Sequence, residues 1–345
     1  MTPLLAGLVV TFLASLLFTP AVAALARRRG IVAVPRQDRW HRAPTALLGG
    51  VAICAAFVVG FAIEQPVPAR SLPVVVSAAW LFVVGLVDDV APIRPLAKLL
   101  AQLVAAAVVV AFGLHLPWTG SVVLNDAVTV VWLVGITNAT NLLDNMDGLA
   151  GGIAVIAAFF LAVTFVLNGQ MEEAVLPALL AGATLGFLPF NRKPASIFMG
   201  DCGSMFIGAL LGGTALLSSY GRTRNLASVL LTPVLILLIP IFDTCLVTVT
   251  RKLSGRAVSV GGRDHTSHRL VALGLSEQRA VALLYVVATL AGGFALAVRW
   301  RRDDGLLVLL PILGAVVAAF GVILGRVRVE DLRPSPTAHR DVSRA

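Results

Sequence analysis

The chain has 345 residues, of which 58% are hydrophobic and only 13% are charged, and its mean hydropathy is +0.92. A soluble domain carries about a quarter charged residues, because a folded surface needs that polar cover. The composition therefore excludes a soluble globular domain, a disordered chain and a disulfide-stabilised secreted scaffold. It predicts an all-α polytopic membrane protein.

The net charge and the cysteines do not indicate a further functional class, such as nucleic-acid binding or a cysteine metal site. The formal net charge of +9 comes from 27 Lys and Arg against 18 Asp and Glu. These basic residues lie in short segments between apolar runs, where they set topology, so we expect no nucleic-acid partner. Cys54, Cys202 and Cys245 have no metal-ligand spacing and are expected to be small buried side chains.

Hydropathy predicts about eleven transmembrane helices, since each needs about 20 mostly apolar residues. The runs lie near residues 4–26, 47–63, 71–87, 96–113, 121–137, 149–167, 174–190, 203–219, 227–250, 278–298 and 305–325. The first run has no basic residue before it, which favours a retained helix over a cleaved signal peptide. We expect one membrane-embedded domain over 1–325 and a disordered cytoplasmic tail over 326–345.

The basic residues predict the orientation. Alternate connecting segments on one side hold 20 Lys and Arg, and those on the other side hold 6. Because cytoplasmic loops carry the basic excess, the N-terminus is expected outside and the C-terminus in the cytoplasm. The cluster of Arg299, Arg301 and Arg302 opposes this bias and is partly offset by Asp303 and Asp304.

Four polar patches fall in the segments that this topology assigns to the cytoplasm. From Gly85 the chain reads G-L-V-D-D-V-A-P, and from Asn141 it reads N-L-L-D-N-M-D-G-L-A-G-G. From Phe190 it reads F-N-R-K-P-A-S-I-F-M-G-D-C-G-S, and from Gly261 it reads G-G-R-D-H-T-S-H-R-L. Ionisable groups at a membrane face indicate function, and the patches share one face.

The residue types in these patches favour phosphoryl transfer onto a lipid. Several carboxylates with few Cys or His suit Mg²⁺ or Mn²⁺ better than zinc. Basic residues on the same side suit a polyphosphate substrate; they are Arg42, Lys98, Arg192, Lys193, Arg263 and Arg269.

Structural roles remain open for the same residues. The pair Asp88–Asp89 is typical of a helix cap or a solvated turn, and Asp201 between two glycines could cap the following helix. His265 and His268 could be ordinary loop residues. Asp243 could be a buried hydrogen-bonded residue or part of the site.

At these patches the chain resembles the polyprenyl-phosphate N-acetylhexosamine-1-phosphate transferases, relatives of the phospho-MurNAc-pentapeptide translocase. The resemblance extends from about Pro35 to Leu275. It implies transfer of a sugar-1-phosphate, here GlcNAc-1-phosphate, from a UDP-sugar to polyprenyl phosphate with release of UMP. It also implies a Mg²⁺ or Mn²⁺ cofactor and an active site on the cytoplasmic side of the inner (plasma) membrane, in a cell-envelope polysaccharide pathway. A homodimer is left open.

Roles carried over from the resemblance apply only to matching positions. Catalytic roles are implied for Asp88, Asp89, Asp144, Asp147, His265 and His268. Substrate binding is implied for Arg42, Lys98, Asn141, Asn191, Phe198 and Arg269, with Phe198 suited to stacking on uracil. The implied metal ligands are Asp201 and Asp147. The acceptor phosphate is already mostly ionised at neutral pH, so a strong base is not required.

One position departs from the family pattern. The hexosamine branch usually shows His-x-His-His-Arg in the last large cytoplasmic loop, but here Ser267 replaces the middle histidine. A phospho-MurNAc-pentapeptide transferase is the second reading. That branch has three histidines in a row and usually ten spans, and neither feature fits this chain. A membrane transporter is the third, but its charges typically lie near the midplane in repeated halves, and no repeat is evident.

Overall fold

The computed structural model describes residues 2–33, 44–64, 68–218, 226–257, 262–300 and 309–327. Within these ranges the chain is mostly helical. The helices are α1 (Thr2–Arg28), α2 (Gly49–Ile63), α3 (Leu72–Val90), α4 (Pro95–Ala111), α5 (Val122–Leu143), α6 (Leu149–Leu167), α7 (Val175–Asn191), α8 (Gly200–Ala215), α9 (Leu226–Ile236), α10 (Leu238–Leu253), α11 (Thr266–Ala272), α12 (Glu277–Trp300) and α13 (Leu309–Gly325).

The prediction of an all-α membrane protein is confirmed. Five of the described helical stretches are long and apolar enough to cross a membrane, namely Leu4–Arg28, Ala69–Val90, Val122–Leu143, Leu149–Leu167 and Glu277–Val298. Four shorter apolar helices accompany them, namely α2, α4, α7 and α13. Eleven spans and their orientation stay predictions, and most of the expected tail, residues 328–345, lies outside the described residues.

The expected span 227–250 is wrong as a single helix. It is divided into α9 and α10, which meet at Leu237 with φ −100° and ψ 23°. Pro240 follows three residues later and has no N–H to donate to Ile236, so the helical hydrogen-bond ladder is interrupted at this point. The next regular bond, from the Ile241 N–H to the Leu237 carbonyl at 3.2 Å, already belongs to α10.

Two small elements were not expected from hydropathy. A two-stranded antiparallel hairpin pairs β1 (Val32–Ala33) with β2 (Thr45–Ala46). The end of β2 also accepts a 2.8 Å hydrogen bond from the Phe198 N–H to the Ala46 carbonyl. The short α11 lies in the loop between α10 and α12. Both elements bring loop segments against helix ends, where the polar patches are.

Helix α8 is the central element of the core. It is buried from Cys202 to Ala215 and packs against α2, α3 and α5. Glycines allow these close approaches. A methyl group at Gly50 would lie 2.2 Å from the Gly203 nitrogen, and one at Gly85 would lie 2.5 Å from the Asp201 carbonyl oxygen. The closely packed α3 thereby carries its acidic end to the first turn of α8.

Gly85→Ala should destabilise the protein, because the added methyl meets backbone rather than a movable side chain. Such overpacking costs about 1–3 kcal/mol, or roughly 2–10 °C in the thermal midpoint. The matched control is Gly135→Ala in α5, where the methyl meets nothing described within 4 Å. Thermal unfolding in detergent measures both. Equal midpoints for the two variants would contradict the close α3–α8 approach.

Candidate active site

Asp89 caps the N-terminus of α8 from another helix. Its Oδ1 accepts from the Asp201 N–H at 2.8 Å and its Oδ2 accepts from the Cys202 N–H at 3.0 Å. These N–H groups have no partner within α8, and a negative charge there is favoured by the helix dipole. Gly200 has φ +77°, and a side chain there would meet the Asp89 carboxylate at 2.6 Å. The expected cap role thus belongs to Asp89 and not to Asp201.

The Asp201 side chain is directed to a charged cluster instead. The Lys98 ammonium, from the first turn of α4, forms ion pairs with Oδ2 of both Asp88 and Asp201. The Lys98 ammonium thereby bridges the two carboxylates. The three side chains are 11–29% exposed, so a ligand can reach them. The Ile93 N–H fixes Asp88 Oδ1 at 2.7 Å.

Asn141 holds the other oxygen of Asp201. Its Nδ2 donates to Asp201 Oδ1 at 3.0 Å and to Ser204 Oγ at 2.8 Å. One turn earlier in α5, Asn138 and Gln102 exchange hydrogen bonds of 2.6 and 3.2 Å between α5 and α4. The sequence alone indicated no role for Ser204 or Asn138, although Ser204 is the last residue of the polar patch that starts at Phe190. Asn141 thus orients Asp201, and the Asn138–Gln102 pair holds α4, which carries Lys98, against α5.

The loop between α5 and α6, which carries Asp144 and Asp147 and is called here the acidic loop, is hydrogen-bonded to the loop after α7. Asn191 is buried, accepts from the Gly148 N–H at 3.1 Å and donates to the Ile197 carbonyl at 3.1 Å. Asp147 Oδ2 accepts from the Ala195 N–H at 3.0 Å. The structure therefore uses both side chains to hold backbone segments.

Asp144 and Phe198 lie on the same two loops. Asp144 ends α5, with its N–H donating to the Asn141 carbonyl at 3.3 Å, and its side chain is partly exposed. Phe198 is also half-buried, and its carbonyl accepts from the Gly49 N–H at 2.9 Å. The Phe198 backbone is thus fixed against the start of α2. Arg42 lies outside the described residues.

A cavity of about 610 Å³ opens beside these loops. It includes Asp147 together with Arg192 and Lys193, and Lys193 forms an ion pair with Glu277 of α12. Tyr285, also in its wall, donates to the Gly148 carbonyl at 2.5 Å. The cavity therefore mixes both charge signs and is bounded by the first turns of α12.

The segment that contains His265 and His268, called here the histidine segment, is anchored by the fully buried Asp243 of α10. Asp243 Oδ1 accepts from the Thr266 N–H at 2.6 Å, which caps α11, and Oδ2 lies 2.7 Å from His265 Nδ1. An ionised carboxylate can only accept, so His265 carries its proton on Nδ1 in this pair. Of the two open roles of Asp243, the structure shows the hydrogen-bonded one.

His268 is buried beside His265, with ring centroids 5.7 Å apart at 67°. Burial and the neighbouring His265 lower the pKa of His268 to about 3. This side chain is therefore neutral at physiological pH.

Two arginines secure the same segment. Arg251 makes a bidentate ion pair with Asp264, at 2.9 Å from Nε and 2.6 Å from an outer nitrogen. Burial opposes ionisation of Asp264, but the Arg251 hydrogen bonds outweigh it and place the Asp264 pKa below its ordinary value. Arg269 donates to the carbonyls of Asp264, Leu324 and Val327 at 2.8–3.1 Å. It thereby binds the end of α13 to the loop.

Within the described residues, no three His, Cys, Asp or Glu side chains form a ready-made metal cage. A cage is not required for Mg²⁺, which commonly uses one or two carboxylates plus phosphate oxygens and water. The Asp88–Asp201 pair, joined by one ammonium, is a hard-oxygen donor set of that kind. The residues present therefore fit a divalent cation held jointly with a phosphate ligand.

Comparison with known proteins identifies related chains. Glycosyl transferase family 4 matches residues 71–219. The chain is 34% identical to the probable undecaprenyl-phosphate N-acetylglucosaminyl 1-phosphate transferase of Bacillus subtilis, over 83% of this chain and 82% of the relative. It is 33% identical to the decaprenyl-phosphate N-acetylglucosaminephosphotransferase of Mycobacterium tuberculosis (87% and 83%). A phospho-N-acetylmuramoyl-pentapeptide-transferase of Synechococcus is 32% identical over 63% of this chain and 66% of the relative.

The low pKa of His268 predicts a pH-dependent stability. The unfolded chain takes up a proton near the ordinary pKa of 6.5, whereas the folded chain does so only near 3. Stability should therefore fall as the pH falls from 6.5 toward 3, by at most about 1.4 kcal/mol per unit. His268→Gln should flatten this loss in thermal midpoints measured between pH 7.5 and 5, with the difference at pH 7.5 as the baseline. An unchanged slope in the variant would contradict the assignment.

Proposed function

The chain belongs to glycosyl transferase family 4, and we propose that it transfers N-acetylglucosamine-1-phosphate from UDP-N-acetylglucosamine to a polyprenyl phosphate, releasing UMP. The observation that carries this proposal is the cluster of Asp88, Lys98 and Asp201 at the ends of three helices. It combines carboxylates for a cation with an ammonium for a phosphate, and remains accessible.

The divalent cation of this site, Mg²⁺ or Mn²⁺, would be held by Asp201 and Asp88. We propose Asp88 in place of the expected Asp147 as the second ligand. Asp88 shares Lys98 with Asp201, whereas the Asp147 carboxylate accepts from the Ala195 N–H. When bound, the cation supplies charge neutralisation to the diphosphate in the transition state.

The chemistry requires an oxygen of the lipid phosphate to attack the sugar-bearing phosphorus of the donor while its bond to the UMP oxygen breaks. The lipid phosphate is largely ionised at neutral pH, so no protein base has to remove a proton. The protein then contributes position and charge. Lys98 is free to pair with phosphate oxygens if the two carboxylates turn to the cation.

The adjacent Asp88 and Asp89 divide two roles in this proposal. Asp89 accepts hydrogen bonds at the N-terminus of α8, and moving it away would leave those N–H groups without a hydrogen-bond partner. Asp88 is the member of the pair that faces the reacting groups. The α8 cap therefore fixes the position of Asp201 relative to Asp88.

The donor nucleotide is proposed to lie along the loops after α5 and α7, with Asp144 and Phe198 as its contacts. Asn191 and Arg269 act on the nucleotide indirectly, by positioning backbone segments of the site. Their polar groups already bind backbone carbonyls and N–H groups. Asn141 orients Asp201. His265 and His268 complete the donor side.

The same arrangement supports a site at the cytoplasmic face of the membrane. The site lies at helix ends that the basic-residue bias predicts to be cytoplasmic. This position suits a soluble nucleotide donor and a lipid acceptor in the inner (plasma) membrane. A membrane transporter would instead place its binding groups near the midplane. The phospho-MurNAc-pentapeptide relatives share less of the chain, which favours the N-acetylglucosamine donor.

Asp201→Asn tests the proposal directly. Asparagine keeps the side-chain shape, and the α8 cap remains because Asp89 supplies it. The variant should fold with a near wild-type thermal midpoint but lose Mg²⁺-dependent UMP release from UDP-N-acetylglucosamine by at least about 100-fold.

The matched control is Asp126→Asn, at the opposite end of α5 from Asn141, which should keep wild-type turnover. UMP release is measured against Mg²⁺ concentration for both variants. Near wild-type turnover with unchanged Mg²⁺ dependence in Asp201→Asn would overturn the proposed site.

A further inference from the structure

Ser267 occupies the position at which the chain departs from the usual histidine pattern. It is the second residue of α11, between the two remaining histidines, and is only 1% exposed. Its hydroxyl donates to Asn145 Oδ1 at 2.7 Å. Asn145 lies in the acidic loop between α5 and α6, 122 residues away in sequence. The departure is thus matched by a side-chain contact between two loops of the site.

The orientation of the Asn145 amide is fixed by a second contact. Its Nδ2 donates to the Leu142 carbonyl at 2.8 Å, and a carbonyl can only accept. The amide oxygen must therefore face Ser267, so the serine hydroxyl is the donor of the pair. This hydrogen bond has one allowed direction and joins two groups that are each held in place.

The contact completes the support of α11. A helix of seven residues is not stable by itself, so its position is set by tertiary contacts. Asp243 holds its first residue from α10, and Asn145 holds its second from the acidic loop. The loop that bears Asp144 and Asp147 is thereby joined to the segment that bears the histidines.

We propose that Ser267 and Asn145 form a positioning pair that fixes the histidine segment against the acidic loop and so sets the affinity for the UDP-sugar donor. The proposal rests on the proposed function. Neither residue is assigned a contact with reacting atoms. They act through His265 and His268 on one side and through Asp144 on the other.

The pair predicts a specific kinetic pattern. Ser267→Ala and Asn145→Ala should each raise the KM for UDP-N-acetylglucosamine by about tenfold, since each breaks the hydrogen bond that joins the two segments. Asn145→Ala also removes the local bond to the Leu142 carbonyl, which lies within its own loop. The KM for polyprenyl phosphate should not change. Because both variants break the same contact, the double variant should lose no more than about threefold beyond either single variant.

Two further variants separate positioning from general damage. Ser267→Thr retains the hydroxyl and should restore most of the donor affinity. Ser254→Ala removes a hydroxyl just after α10, which donates to the Thr250 carbonyl at 2.7 Å, and should leave both KM values unchanged. Thermal midpoints of all variants, including the double variant, report the same coupling without requiring turnover.

The outcomes are distinguishable. A donor KM that is unchanged in both single variants, or losses that multiply in the double variant, would overturn the positioning pair while leaving the proposed function intact. An equal rise in both substrates' KM values would also overturn it, as would a rise that Ser267→Thr does not reverse. A wild-type protein that releases no UMP from UDP-N-acetylglucosamine would overturn the proposed function itself.

Discussion

The carboxylate of Asp89 at the N-terminus of α8 is the contact on which the site depends. The first N–H groups of this helix are partly buried at the crossing with α3, and a buried N–H group without a partner costs about 1–3 kcal/mol. Asp89 satisfies two of them at 2.8 and 3.0 Å. Gly85 and Gly200 make the approach sterically possible. Since the cap comes from another helix, the Asp201 side chain is released for the charged cluster.

The electrostatic consequence is a site with excess negative charge. Among the described residues, the Lys98 ammonium pairs with Asp88 and Asp201, and Asp89 lies beside them at the start of α8. The α8 dipole stabilises the charge on Asp89, so within the described residues Lys98 is the cation that neutralises Asp88 and Asp201. Such an arrangement favours a divalent cation, and the cation in turn allows a phosphate dianion to approach. Structure and proposed chemistry are thus consistent.

Hydropathy was sufficient to locate the long helices, because membrane burial demands continuous apolar runs. It did not predict the division of 227–250, where Pro240 interrupts an otherwise apolar run. The short α11 was also missed, since its start is capped by Asp243 from α10 rather than by a neighbour in sequence. Both misses concern hydrogen bonds, to which hydropathy is insensitive.

The site residues were found in the sequence as patches, but their division of labour was not. Asp89 and Asp201 are separated by 112 positions, and no local pattern shows which of them caps α8. The same holds for Ser267, whose partner Asn145 lies in a different patch. The structure adds the pairing of these residues.

The identity of the two carboxylates that hold the cation is the central claim. Mn²⁺ binding to the purified protein in the presence of UDP-N-acetylglucosamine, followed by electron paramagnetic resonance, tests it most directly. The account predicts that Asp88→Asn and Asp201→Asn each weaken Mn²⁺ binding by at least about tenfold, whereas Asp147→Asn binds as the wild type does. Retained binding in Asp88→Asn with loss in Asp147→Asn would contradict it.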